Sequence, residues 1–196
     1  MRIAFDFDGV ILDSERPSKF YADYWSYFVL GKDRMRRDEI SQEECFDWTD
    51  EELNRFFAEH YDNITRESNL MVGAKEILTK LKNEGHELYV ITLRGFYREE
   101  EVQEAKPKLQ ELGIEFDEIC WSVNKKAEKC REIGIDIMVE DNPHNVEQFV
   151  GEKTKVLYFK EPEIREVEAR NIVKVNSWMD IYREVKNLKK EINKWK

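Results

Sequence analysis

Short apolar runs rich in β-branched and aromatic residues alternate along the chain with longer stretches whose apolar positions recur every three or four residues. The runs predict strands over 2–6, 87–92, 117–121, 136–140, 154–159 and 171–175. The periodic stretches predict helices over 74–83, 99–112, 125–133, 143–149 and 177–195, and Gly85, Gly113 and Gly134 stand where three of them should end. Alternating strands and helices predict the α/β class, with a doubly wound, mostly parallel sheet.

Residues 14–70 break this rhythm. The segment is helical in pattern, has no convincing strand, and follows the first strand and its loop directly. Phe20, Tyr21, Tyr24, Trp25, Tyr27, Phe28, Phe46, Trp48, Phe56, Phe57 and Tyr61 give it an unusual aromatic density. The expected division is an α/β core of residues 1–13 plus 71–196 and a small helical cap of residues 14–70.

At 196 residues the chain can bury one α/β core and a small accessory domain. Charged residues make up 38% and hydrophobic residues 41%, as in a globular protein with an ionised surface. The net charge of −10 argues against a nucleic-acid duplex as partner, although a small phosphorylated ligand can still be held by a metal and a few local donors. Cys45, Cys120 and Cys130 are widely spaced and are expected to be buried free thiols. The strand-like start, Arg2-Ile3-Ala4-Phe5, is unlike a secretory signal, and no segment approaches the apolar length of a membrane span. The expected setting is cytoplasmic, without a membrane partner.

In Ile3-Ala4-Phe5-Asp6-Phe7-Asp8-Gly9, two aspartates at i and i+2 leave an apolar strand, and Gly9 permits the turn that lets both carboxylates converge on one ligand. Such a pair can supply the nucleophile and the proton donor of phosphate-ester hydrolysis. It can equally cap a strand and solvate a loop. Other strand ends add to it: Thr92 closes Leu88-Tyr89-Val90-Ile91-Thr92, Lys125 and Lys126 open a helix, and Glu140 and Asp141 end Ile135-Asp136-Ile137-Met138-Val139 as an acidic pair suited to oxygen-ligated Mg²⁺. In a doubly wound sheet these carboxyl ends meet.

The ordered set resembles the four motifs of the haloacid dehalogenase superfamily over residues 1 to about 160, which implies a Rossmann-like core. Phe5-Asp6-Phe7-Asp8-Gly9-Val10 is similar to the first motif, Ile91-Thr92 to the second, Lys125-Lys126 to the third and Val139-Glu140-Asp141-Asn142 to the fourth. The resemblance implies that Asp6 attacks phosphorus to form an aspartyl-phosphate and that Asp8 protonates the departing oxygen and later activates water. It implies that Thr92 and a lysine, Lys126 by its distance from the fourth motif, steady the phosphoryl group. It also implies Mg²⁺ held by Asp6, the backbone carbonyl of Asp8 and Asp141. Asp8 would need a raised pKa for part of the cycle. An aspartate at its position points to ester hydrolysis within the superfamily. Glu140 stands where many relatives have aspartate and could act through a bound water.

The phrases Ile91-Thr92-Leu93-Arg94-Gly95 and Gly134 to Pro143 look similar to the cytosolic 5′-nucleotidase type C group and its bacterial relatives. That likeness implies a nucleoside monophosphate as substrate, met by Thr92, Leu93, Arg94 and Lys126. Cap aromatics could stack a base, but Phe20, Tyr24, Tyr27 and Phe28 recur at helical spacing and would equally form a buried face. Lys32, Arg34, Arg36 and Arg37 read as solvated surface or as a second phosphate contact. His144 is explained by its place in the first turn of a helix. Trp178, Ile181, Val185, Leu188, Ile192 and Trp195 form a stripe that packs on the core or joins two copies in a homodimer. The alternatives to a nucleotidase are a phosphatase or phosphomutase acting on a sugar phosphate or another small metabolite, and a non-catalytic relative that binds a phosphorylated ligand.

Overall fold

The computed structural model of the protein describes residues 1–96 and 98–194. The predicted strands appear as β1 (Arg2–Phe5), β4 (Glu87–Ile91), β5 (Glu118–Cys120), β6 (Ile137–Glu140), β7 (Lys155–Phe159) and β8 (Ile172–Val175). They form one sheet in the order β5-β4-β1-β6-β7-β8, and every pairing is parallel. β1 is central, and the chain winds outward from it in both directions. The topological switch point therefore lies between β1 and β6, where the crevice at the strands' carboxyl ends accepts ligands in open α/β sheets.

Alternation along β1 divides its side chains between two apolar layers. Ile3 and Phe5 join Leu78, Leu81, Trp178, Ile181 and Val185, contributed by α4 (Ala74–Asn83) and α8 (Trp178–Lys194). Ala4 joins Met138, Cys130, Val146 and Phe149 on the other face, under α6 (Lys126–Ile133) and α7 (Pro143–Glu147). The C-terminal helix thus packs on the core: Trp178 stacks on Phe5 at 5.4 Å, and its Nε1 donates to the Val10 carbonyl at 3.1 Å, bracing the loop after β1. Of the expected stripe, Trp195 and the side chain of Ile192 lie outside the described residues. Gly134 ends α6 in the left-handed conformation (φ +77°) that favours glycine. The three cysteines are buried and free.

Between β1 and α4 the chain forms α1 (Glu15–Trp25), which runs on as a π-helix (Ser26–Leu30), then α2 (Gln42–Cys45) and α3 (Asp50–Glu67). A separate cluster of Ala22, Trp25, Cys45, Phe46, Phe56 and Ile64 holds these helices together. α3 opens on a capping box, in which Thr49 and Glu52 each accept the other's backbone N–H, an arrangement worth about 1 kcal/mol. The absence of strands expected for 14–70 needs one correction. β2 (Leu12–Asp13) and β3 (Asn69–Leu70) pair antiparallel and clamp the two ends of the insertion together. Two-residue strands are too short to produce a visible alternation.

The four aromatics expected as a buried face also need correction. Phe20, Tyr24, Tyr27 and Phe28 are 50–69% exposed and pack on one another along the outer side of α1 and its π-helical extension. Trp25 and Ala22 supply the inward face instead. Further contacts tie the insertion to the core. Arg165 donates from its backbone to the Asp38 carbonyl at 2.9 Å and from Nε to buried Glu39 at 2.6 Å, and Lys108 reaches the Ser68 carbonyl at 2.8 Å. Among the described residues no helix is long and apolar enough to cross a membrane.

Candidate active site

The β1 pairings bring Asp6, Thr92 and the acidic pair together. Phe5 is in register with Val90 and with Val139, and the Asp6 amide extends the second pairing by donating to the Val139 carbonyl at 2.9 Å. A 170 Å³ cavity at this switch point is lined by Asp6, Asp8, Glu15, Ile40, Thr92, Leu93, Lys126, Asp141, Asn142 and Asn145. Of the residues singled out in the sequence for the site, Asp6, Asp8, Thr92, Leu93, Lys126 and Asp141 line it, whereas Arg94, Lys125 and Glu140 do not.

Lys126 is 1% exposed and lies between two carboxylates, with Nζ 2.8 Å from Asp6 Oδ2 and 2.7 Å from Glu140 Oε2. Lys125 points outward, its side chain 84% exposed. Burial works against the Lys126 ammonium, but Asp6 and Glu140 more than offset it and raise its pKa. The second Glu140 oxygen accepts from the Asn142 amide at 3.2 Å and from Asn145 Nδ2 at 3.1 Å. Glu140 therefore orients Lys126 and the start of α7, a more direct engagement than the water-mediated role considered for it.

Burial, reinforced by Glu140, pushes Asp6 from its ordinary value of 3.8 up to about 8 despite Lys126. Its Oδ1 accepts from the Phe7 amide at 2.7 Å, which fixes the carboxylate plane. Asp141 is raised well above the usual carboxylate range by burial first, then by Glu15, Glu140 and Asp6. Asp141 is 5% exposed, and its side chain has no hydrogen bond or ion pair among the described residues. Gly9 turns with φ +67°, and a Cβ there would lie 1.8 Å from Asp141 Oδ2, so only glycine lets the loop pass this carboxylate.

Oxygens of Asp6, Glu140 and Asp141 all lie within 4.8 Å of one another. An all-carboxylate donor set with one orphaned buried member fits a hard divalent cation such as Mg²⁺. In this cluster Glu140 stands beside the expected Asp6 and Asp141, whereas the Asp8 side chain is turned to another partner.

That partner is Arg94. Its Nε and Nη2 donate to the two Asp8 oxygens, each at 2.7 Å. Burial raises Asp8, but the guanidinium outweighs it and holds the carboxyl below its ordinary value. The sequence reading needs Asp8 raised for part of the cycle; in the free protein its cationic neighbour, which the motif does not reveal, holds it down instead. Thr92 is 1% exposed, and its hydroxyl accepts from the Arg94 amide at 3.2 Å.

Sequence reasoning missed Glu15, Tyr61 and Thr65. Glu15 begins α1, where an acidic residue reads simply as a complement to the helix dipole. Burial, with Asp8 and Glu161 nearby, pushes it up to about 8. Glu15, Ile40 and Asp141 are shared with a second, 470 Å³ cavity between the inserted helices and the core, whose wall includes Gly9, Phe46, Met71, Phe159 and Asn176. Tyr61 and Thr65 lie on α3 and reach Arg94 from the insertion.

The model of the family described as "5' nucleotidase, deoxy (Pyrimidine), cytosolic type C protein" matches residues 1–190. A stretch of 117 residues is 31% identical to the "Putative 5'(3')-deoxyribonucleotidase" of Chlorobaculum tepidum, covering 58% of this chain and 54% of that protein. The chain thus spans about half the length of the curated relative it matches. Among solved structures, the haloacid dehalogenase-like hydrolase SP0104 from Streptococcus pneumoniae matches with a TM-score of 0.68 at 14% identity, over 94% of this chain and 97% of that one. A "predicted phosphatase" from Clostridium acetobutylicum matches with a TM-score of 0.66 at 17% identity, over 95% and 98%. These structural likenesses establish the fold, and the family match establishes the rest: this chain belongs to the cytosolic type C 5′-nucleotidase family on a haloacid dehalogenase-like fold.

Proposed function

We propose that the protein is a cytoplasmic, Mg²⁺-dependent phosphomonoesterase that works through an aspartyl-phosphate on Asp6 and takes nucleoside 5′-monophosphates. The observation that carries this reading is Asp6 itself, held at the switch point between a buried lysine and an acidic cluster, with its Oδ2 on Lys126 at 2.8 Å. The family match supports the nucleotide.

In this reading an Asp6 oxygen attacks phosphorus as the ester P–O bond breaks, and Asp8, which Arg94 keeps ionised in the free protein, takes up a proton as substrate binds and delivers it to the departing alkoxide. Asp8, now ionised, then takes a proton from the water that attacks phosphorus, releasing phosphate and restoring Asp6. Lys126 neutralises Asp6 and the phosphoryl oxygens, and the Thr92 hydroxyl donates to one of them. A Mg²⁺ ion held by Asp6 and Asp141, with the Asp8 backbone carbonyl, would supply further positive charge to the phosphoryl group. The helices of 14–70 act as a cap, and the 470 Å³ cavity, of a size that suits a small-molecule ligand, receives the nucleoside against Phe46 and Phe159.

Phosphate release from a panel of nucleotides, sugar phosphates and simple alkyl phosphates, with Mg²⁺ or with EDTA, tests the proposal. Turnover of nucleoside 5′-monophosphates that EDTA abolishes is the expected result. Preference for sugar phosphates would overturn the substrate, and silence across the panel would overturn the activity.

A second expectation concerns pH. Asp6, at about 8, and Asp141, also raised, bind more protons in the folded than in the unfolded chain over the range between the ordinary 3.8 and their folded values. Without metal, their contribution to stability is fully present below the unfolded value and is lost as pH rises through the folded one. A cation that displaces these protons binds better as pH rises. The Mg²⁺-induced increase in melting temperature should therefore be larger at about pH 8 than at about pH 6. An increase independent of pH would contradict the assignment of these carboxylates to the metal.

A further inference from the structure

Arg94 reads in the sequence as a cation for the substrate, but its surroundings leave it little to offer one. It is 5% exposed. Its Nε and Nη2 are spent on Asp8, and Nη1 donates to Thr65 Oγ1 at 3.3 Å. The Phe7 ring lies 4.9 Å from the guanidinium carbon and the Tyr61 ring 5.3 Å from it. Asp8, Thr92 and Leu93 line the cavity beside Asp6, and Arg94 does not.

These contacts come from two parts of the chain. Asp8 and Phe7 belong to the loop after β1, whereas Tyr61 and Thr65 lie on α3, within the inserted helices. A planar guanidinium held edge-on by a carboxylate, with aromatic rings packed against it, has little rotational freedom. The orientation it imposes on Asp8 thus depends on where α3 stands.

We propose that Arg94 is a positioning residue, which aims the Asp8 carboxylate at the leaving-group oxygen and ties that aim to the placement of α3 through Tyr61 and Thr65. The inference rests on the phosphomonoesterase reading above and adds to it a device by which the inserted helices set the geometry of proton transfer.

The test separates aiming from binding by varying the leaving group. An alkyl phosphate needs a proton on its departing oxygen, whereas p-nitrophenyl phosphate releases a stable anion and needs little help. Arg94→Lys keeps the charge but loses the two-pronged grip. It should lower kcat/KM for the best alkyl phosphate of the panel by about 10- to 100-fold and that for p-nitrophenyl phosphate by no more than about threefold. Tyr61→Leu leaves both charges in place and should show the same split to a smaller degree, with KM little changed; it decides the matter if Arg94→Lys shows no folding transition. Equal losses on both esters, or a rise in KM alone, would make Arg94 a substrate-binding cation and overturn the inference while leaving the activity standing. A wild-type protein silent on both esters would overturn the phosphomonoesterase reading and this inference with it.

Discussion

Replacing Asp6 by asparagine is expected to abolish phosphate release, by a factor on the order of 10⁴ or more, while leaving the protein folded. The amide has the same shape but no oxygen nucleophilic enough to attack phosphorus. Folding should survive because burial and Glu140 already push Asp6 up to about 8, so a neutral group at this position costs the metal-free protein little. Lys126 retains its contact with Glu140 at 2.7 Å. Phosphate assays beside thermal melts check both halves. Residual activity within about tenfold of wild type would exclude Asp6 as the nucleophile.

Lys126→Met is expected to remove both activity and much of the stability, the latter by about 3–5 kcal/mol in EDTA, because it strands the buried Glu140 carboxylate without its cation. Glu140, its side chain 0% exposed, would keep only the Asn142 amide and Asn145 Nδ2 as partners. A second change identifies the cause. Lys126→Met combined with Glu140→Gln removes the stranded charge and should recover most of the lost stability, but no activity. Urea melts of the two single variants and the double variant measure the coupling. If the double variant is as unstable as Lys126→Met alone, the lysine acts through packing rather than charge. The same geometry explains why Glu140 serves here: its longer side chain reaches back to Lys126 with one oxygen while the other holds Asn142 and Asn145.

The sheet was readable in the sequence because its strands are buried on both faces. Runs such as Leu88-Tyr89-Val90-Ile91 contrast sharply with the helical stretches around them, and each predicted strand matches an observed one to within a residue at either end. Strand ends carry the chemistry in this topology, so Asp6, Thr92, Lys126 and Asp141 could be named before their meeting place was known. What escaped was mostly lateral. Nothing in Ile91-Thr92-Leu93-Arg94-Gly95 says that Arg94 turns toward Asp8, since the pairing spans 86 residues and depends on how α3 packs. The exposed Phe20, Tyr24, Tyr27 and Phe28 misled because periodicity identifies a face of a helix but not the side on which the neighbours lie. Glu15 enters the site only because β2 and β3 clamp the insertion, which brings the start of α1 beside Asp8 and Asp141.

In the proposed mechanism the two cavities divide the work. The smaller one collects the groups assigned to bond breaking, and the larger one contributes walls from both the inserted helices and the core. The insertion is therefore joined to the candidate site in two ways, through the shared wall at Glu15 and Ile40 and through the contact of α3 with Arg94.

The most direct measurement is to trap the covalent intermediate. Asp8→Asn slows the step in which water is activated, so a phosphorylated protein should accumulate when this variant is mixed with Mg²⁺ and p-nitrophenyl phosphate, whose leaving group needs no proton from Asp8. Borohydride then reduces an acyl-phosphate to the alcohol, which converts the attacking aspartate to homoserine, and peptide mass spectrometry locates the change. The mechanism predicts homoserine at position 6 and none in an Asp6→Asn control. Homoserine at another aspartate, or product release with no reducible adduct at any residue, would contradict it.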